Sequence, residues 1–240
     1  QGKAVDLLDV SFGGGKTHSL VLLYHIFKNK AIGTKFIKEN GIAKNYGIDE
    51  IPDVDVVAID CKQMKRQTLW GEVAYRIGKW NEFEKYDKEK KSPTDISEIK
   101  SLFEKPTLLM LDEVPHYLVK AKQEGQTFVD ATLLFLNELA SAVNSVENCR
   151  LIVTTTADQK LLQDTADKVK KTVTLDTFGV TDSLKESVAR SANPLVPVKK
   201  KDAYGVIRKR LVKQIDEKER DRIVDEYFTY YNDKGLITEQ

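Results

Sequence analysis

Short apolar runs alternate with stretches of helical periodicity along the chain. Four apolar runs predict buried strands: residues 54–60, 107–112, 150–156 and, less purely, 5–10. Because their apolar positions are continuous rather than alternating, we expect both faces of these strands to be covered, as in a parallel sheet. Helical spacing of apolar residues lies between them, at residues 16–28, 67–80 and 128–146. This alternation predicts an α/β fold with a mainly parallel, doubly wound sheet and right-handed crossovers.

Two parts of the chain depart from this alternation. Residues 30–52 contain Gly33, Gly41, Gly47 and Pro52 and predict an irregular insertion. After residue 156 helical patterns prevail, over residues 158–171, 181–191, 202–214 and 217–232, with a short extended piece at 194–198. We therefore expect a core of residues 1–198 and a helical appendage of residues 199–240.

Composition narrows the class of protein. The 38 Lys and Arg residues nearly balance the 37 Asp and Glu residues, and a net charge of +1 excludes a globally basic nucleic-acid coat. The two cysteines, Cys61 and Cys149, form no C-x-x-C pair, which argues against a disulfide framework or a zinc site and favours a reducing compartment, the cytoplasm. No apolar run reaches the roughly 20 residues of a membrane helix, so no membrane partner is expected.

A glycine-rich segment connects the first predicted strand to the first predicted helix. It reads Ser11-Phe12-Gly13-Gly14-Gly15-Lys16-Thr17-His18, and we expect Phe12 to His18 to bind nucleotide. Glycines let backbone N–H groups surround phosphates, and the helix N-terminus adds its positive dipole end. Lys16 is placed to reach the β- and γ-phosphates, and the Thr17 hydroxyl to bind Mg²⁺. The first glycine of the usual G-x-x-x-x-G-K-[ST] pattern is Val10 here, and the alternative is a glycine-rich turn without a ligand.

The third and fourth predicted strands end in polar residues. Asp112 is placed to hold Mg²⁺ at the C-terminal edge of the sheet, and Glu113 to activate a water for attack on the γ-phosphorus. A carboxylate pair alone could merely cap a loop, but the phosphate loop requires the same sheet edge. Of the hydroxyls that end the fourth strand, Thr156 is the first choice for orienting the water and Thr155 the second. Ordinary β-branched filling of a strand is the alternative.

The order of these motifs resembles that of additional-strand P-loop ATPases and, among them, the AAA+ group. More narrowly, the phosphate loop, Asp112-Glu113 and Arg208-Lys209-Arg210-Leu211 are similar to a little-characterised family of large prokaryotic ATP-binding proteins with a GGGKTH loop. Some members of that family occur beside phage-defence or DNA-modification genes. The resemblance implies a three-layer P-loop NTPase fold in which residues 199–240 begin a C-terminal helical lid. It also implies an arginine that acts on a neighbouring subunit's nucleotide. Arg190 stands at the expected place, with Arg208 and Arg210 as rivals.

The sequence thus predicts an enzyme, an ATPase with ATP and Mg²⁺ as ligands, that drives conformational change in a larger, DNA-associated or defence-related protein. The guanine-specific N-K-x-D motif is absent, which favours ATP over GTP. A nucleotide-switched binding module with little turnover is one alternative, and a small-molecule P-loop kinase is another.

Two features bear on macromolecular partners. Residues 199–213 hold seven basic residues against one acid, which suits nucleic acid or a solvated helix face. The aromatic residues Tyr227, Phe228, Tyr230 and Tyr231 look too crowded for one helix face and favour packing against another segment of a longer chain or another subunit.

Overall fold

The chain forms two compact units, residues 1–197 and 198–240. The computed structural model describes residues 3–8, 15–93, 95–155, 177–189, 191–195 and 217–234. The elements of the first unit are, in chain order, β1 (Val5–Leu8), α1 (Lys16–Lys28), α2 (Lys30–Glu39), α3 (Ile42–Tyr46), β2 (Asp55–Asp60), α4 (Leu69–Ile77), α5 (Trp80–Glu89), α6 (Ile96–Lys100), β3 (Thr107–Asp112), α7 (Val114–Ala121), α8 (Gln126–Ser145), β4 (Arg150–Thr154), α9 (Thr177–Ala189) and β5 (Asn193–Leu195).

The strands form one five-stranded sheet in the order β2-β3-β4-β1-β5. Every neighbouring pair is parallel, so the predicted α/β class is confirmed. In the sheet, β4 lies between β1 and β3, although it follows both of them in the chain. The C-terminal ends of β1, β3 and β4 therefore meet at one edge of the sheet.

Successive side chains of each strand enter two different apolar layers. Leu8, Leu108, Met110 and Ile152 pack with Leu20 of α1 on one face. Their neighbours Leu7, Leu109, Leu111 and Val153 join a larger core with residues of α4, α7, α8 and α9 on the other face. Helices on both sides of the sheet make three layers, which explains why the strands are continuously apolar.

Residues 30–52 contain two helices, so the predicted irregular insertion was wrong. The side chain of Asn29 accepts the backbone N–H of Ile32 at 3.1 Å and caps α2. Gly33 lies inside α2, where a Cβ would come within 2.1 Å of the carbonyl oxygen of Ile26. Gly41 and Gly47 bound α3 in left-handed conformation. These glycines therefore serve helix packing and helix ends.

Two buried carboxylates hold the loop between β2 and α4. Glu72 of α4 accepts the backbone N–H groups of Lys65 and Arg66 at 2.8 and 3.0 Å. Asp87 of α5, only 2% exposed, accepts the N–H and hydroxyl groups of Thr68 at 2.8 and 2.7 Å. The loop, which also carries Lys62, is thereby fixed at the C-terminal end of β2.

Gly71 allows α4 to approach α5, because a Cβ at this position would come within 2.2 Å of a carboxylate oxygen of Asp87. We expect Gly71→Ala to lower the free energy of unfolding by about 1–3 kcal/mol, as overpacking does, although alanine is normally the better helix former. Urea denaturation measures this change. In an Asp87→Gly background, which also removes the Cβ that would lie within 2.7 Å, the penalty should shrink, and an equal penalty in both backgrounds would contradict the clash.

The described part of the second unit is one helix, α10 (Glu217–Asp233). Tyr227, Phe228, Tyr230 and Tyr231 are each 42–60% exposed on it. Arg222 pairs with Glu219 and Glu226 of the same helix. The identity of residues 199–240 as the start of a lid stays a prediction. The basic stretch of residues 199–213 lies outside the described residues, so its nucleic-acid role stays a prediction too.

No helix within the described ranges has the length and apolar character needed to cross a membrane.

Candidate functional site

The candidate site lies where the N-terminus of α1 meets the C-terminal end of β3. Gly15, in left-handed conformation with φ 77°, is the N-cap residue of α1, so Lys16 and Thr17 begin the first turn. The hydroxyl of Thr17 donates a hydrogen bond to Oδ2 of Asp112 at 2.9 Å, across 95 positions of sequence. The fold thus joins the two motifs that the sequence predicts for phosphate and for Mg²⁺.

Thr154, at the end of β4, orients Asp112. Its hydroxyl donates to Oδ1 of Asp112 at 2.9 Å and accepts the backbone N–H of Glu113 at 2.8 Å. The side chain of Thr154 is fully buried. Thr155, the second choice from the sequence, is also buried, and no described group bonds its hydroxyl. The sequence analysis missed Thr154, although the parallel register pairs Leu111 with Val153 and so sets Asp112 beside it.

Glu113 occupies an unusual backbone conformation directly after β3. Its φ of 59° is left-handed, which costs a non-glycine residue about 1–2 kcal/mol. Hydrogen bonds from its N–H to Thr154 and to Oδ1 of Asp112 help to hold this conformation. Glu113 is also the N-cap residue of α7, which has Pro115 in its first turn. The turn separates the side chain of Glu113 from that of Asp112, so the two carboxylates have different partners.

Both carboxylate oxygens of Glu113 have a partner. Lys62, from the loop after β2, lies 3.0 Å from Oε1. His116, one turn along α7, places Nδ1 2.8 Å from Oε2. Burial raises the pKa of Glu113, but the hydrogen bonds to His116 and Lys62 act against it, and the resulting pKa is below the ordinary value. Glu113 is therefore ionised at neutral pH.

The oxygen donors of this site suit Mg²⁺. The Thr17 hydroxyl and the Asp112 carboxylate are hard oxygen ligands, which Mg²⁺ prefers. Among the residues that the structure describes, no group of three His, Cys, Asp or Glu side chains could hold a metal ion by itself. Mg²⁺ sites built on one or two protein ligands are completed by phosphate oxygens and waters. The donor set therefore fits a metal that arrives with a nucleotide.

A cavity of about 330 Å³ opens beside Thr17 and Asp112. Its walls are mainly apolar and come from one face of α1 and from β2 and β3, with the lining residues Leu20, Val21, Tyr24, His25, Ala58, Ile59, Asp60 and Met110. The site thus has concave space on the side of the sheet that α1 covers.

The structure places only part of the predicted site. Gly15, Lys16, Thr17, Asp112 and Glu113 lie at this edge of the sheet, and His18 is exposed on the first turn of α1. The remaining predicted residues lie outside the described ranges, so their roles stay predictions: Phe12, Gly13, Gly14, Thr156, Arg190, Arg208 and Arg210. The structure adds three residues that the sequence analysis did not select, namely Lys62, His116 and Thr154.

Comparison with known protein families identifies a family for this chain. Residues 1–194 match the family model described as the DUF499 N-terminal domain. No curated protein matched the chain, and no solved structure did. Because the matched residues are 194 of the 240 in the chain, the protein belongs to the DUF499 family.

Proposed function

We propose that this protein binds ATP together with Mg²⁺ and hydrolyses it to ADP and phosphate. The observation that carries the proposal is the hydrogen bond between Thr17 and Asp112, because it unites a phosphate-loop residue with a metal-binding carboxylate. The position of β4 between β1 and β3 agrees with the resemblance to additional-strand P-loop ATPases. The adjacent Glu113 adds a carboxylate suited to activating water.

Each residue of the site has a part in this reaction. Lys16 and the backbone N–H groups at the start of α1 bind the phosphates, and Thr17 and Asp112 hold Mg²⁺. When bound, Mg²⁺ neutralises charge on the phosphate oxygens. Glu113 accepts a proton from the attacking water as the water oxygen bonds to the γ-phosphorus and the bond to the β–γ bridging oxygen breaks. ADP leaves with the electron pair of that bond.

The second candidate function is a nucleotide-switched binding module with little turnover. One observation favours it: Lys62 and His116 each engage one carboxylate oxygen of Glu113, so a water has to compete with these two donors for the carboxylate. Turnover is then slow while both contacts persist. A rate of phosphate release measured beside ATP binding separates the two candidates.

We also propose that the protein works in the cytoplasm. The buried thiols of Cys61 and Cys149 are free, in agreement with a reducing cytoplasm. Burial, followed by the charge of Asp60, raises the pKa of Cys61 well above its ordinary value, so this thiol is unreactive at neutral pH. Conformational work in a larger, DNA-associated or defence-related protein rests on the sequence resemblance alone.

We expect Lys16→Ala to weaken ATP binding at least about tenfold, because one charge-assisted hydrogen bond contributes about 1.5–3 kcal/mol. Isothermal titration with Mg²⁺-ATP measures the affinity. Lys28→Ala is the matched control, because Lys28 is the exposed last residue of the same helix, and it should bind like the wild type. Equal affinity of the Lys16 variant, or a wild type that binds no ATP, would contradict the proposed function.

A further inference from the structure

We propose that His116 is a positioning residue that orients the carboxylate of Glu113 for its reaction with water, an inference that rests on the proposed ATPase function. His116 lies in the first turn of α7, and the sequence shows no metal-ligand spacing around it. It acts on the reaction through Glu113. The geometry around the imidazole carries the proposal.

The imidazole is held in place by helix geometry and by burial. Glu113 is the N-cap residue of α7, and the backbone N–H of His116 donates to the carbonyl oxygen of Glu113 at 3.0 Å. Residues three apart lie on the same side of a helix, so the His116 ring returns to the side chain of the capping residue. His116 is only 2% exposed, and its neighbours Val114 and Leu118 in α7 are fully buried. The ring therefore cannot follow Glu113 into solvent.

The hydrogen-bond partners of the two ring nitrogens indicate the tautomer of His116. The ammonium group of Lys62 donates to Oε1 of the Glu113 carboxylate at 3.0 Å, so the carboxylate is an acceptor, and Nδ1 of His116 donates to Oε2 across the 2.8 Å contact. Nε2 is buried, and no group in the described part of the chain bonds it. A proton on that nitrogen would be a buried donor with no acceptor among the described residues, whereas a bare lone pair is less costly. The arrangement thus favours the tautomer that carries its proton on Nδ1.

The two partners of Glu113 differ in how easily they can leave. The side chain of Lys62 is 31% exposed, and its long stem can move its ammonium group away from Oε1 into solvent. His116 offers no such movement. Oε2 is therefore the fixed oxygen, and Oε1 is the oxygen that can turn to a water. His116 therefore orients the carboxylate of Glu113, and movement of Lys62 controls whether a water can reach Oε1.

The test compares two substitutions that keep the site filled. His116→Leu removes the donor, and we expect kcat to fall about 10- to 100-fold with little change in KM, as when an outer partner of a reactive group is lost. His116→Asn can present its amide N–H near the position of Nδ1, and we expect it to restore kcat to within about threefold of wild type. Lys28→Ala is the control, because Lys28 is exposed at the end of α1 and does not line the cavity beside Thr17, and it should keep the wild-type kcat. Equal losses in the Leu and Asn variants, or an unchanged kcat in the Leu variant, would overturn the proposal.

A second readout does not depend on turnover. Long-range ¹H–¹⁵N correlation distinguishes the protonated ring nitrogen of a histidine from the bare one, and the chain has only three histidines. The spectrum of the wild type should contain one Nδ1–H ring that disappears in His116→Asn and remains in His25→Asn. A His116 ring that is protonated on Nε2 and bare on Nδ1 would overturn the contact with Glu113. If this ring is found but the wild type neither binds nor hydrolyses ATP, the proposed function fails while the contact stands.

Discussion

Glu113→Gln is expected to bind ATP like the wild type and to release phosphate at least about 100-fold more slowly, the usual range for loss of a general base. Glutamine has nearly the same shape, and its amide oxygen can still accept from one of the two donors, Lys62 or His116, while its N–H₂ group faces the other. Its neutral amide cannot accept a proton from water. The phosphate loop and the Thr17–Asp112 contact do not involve the side chain of Glu113, so nucleotide affinity should be kept. Phosphate release under single-turnover conditions, with binding recorded in parallel, measures both quantities.

Glu113→Asp sharpens this experiment, because it keeps a carboxylate but moves it back by one methylene. Its rate should fall between those of the wild type and Glu113→Gln. Full activity of the Gln variant would contradict the role of Glu113 as base. Tight binding without measurable turnover in all three proteins would favour the nucleotide-switched module instead.

Asp87→Ala is expected to lower the free energy of unfolding by about 3–5 kcal/mol, since hydrogen bonds to charged groups contribute about 1.5–3 kcal/mol each. Its carboxylate accepts the N–H and hydroxyl groups of Thr68 and, at 3.4 Å, the N–H of Gln67. Removal of the carboxylate leaves the donors of the fully buried Thr68 without this acceptor. Chemical denaturation followed by circular dichroism measures the loss.

Two further variants show how much of this loss of stability depends on the carboxylate of Asp87. Asp87→Asn keeps an oxygen for Thr68 but turns an N–H₂ group toward another donor, so its loss should be intermediate. Asp130→Ala removes an exposed carboxylate that bonds Gln126 within α8, and its effect should stay within about 0.5 kcal/mol. Equal losses for Asp87→Ala and Asp130→Ala would contradict the role of Asp87 in holding the loop.

Much of the fold follows from the sequence because its strands are buried on both faces. The apolar runs at residues 54–60 and 107–112 coincide with β2 and β3 to within one residue, and the predicted helix 16–28 coincides with α1. The irregular insertion predicted for residues 30–52 was wrong because glycine has two uses. A sequence pattern cannot distinguish a glycine in a loop from one such as Gly33, which lets two helices approach.

Local pattern also determined the central pairing of the candidate site. Phosphate loops and polar strand ends need the same edge of a parallel sheet, so the sequence predicts both Thr17 and Asp112 as site residues, and the structure shows their contact. The sequence does not predict Thr154, Lys62 and His116. Their roles depend on the register of β3 against β4, on the loop held by Glu72 and Asp87, and on the left-handed turn at Glu113. A sequence pattern records which side chains can face one sheet edge. Only tertiary packing, in which buried polar groups must find partners, decides which of them meet.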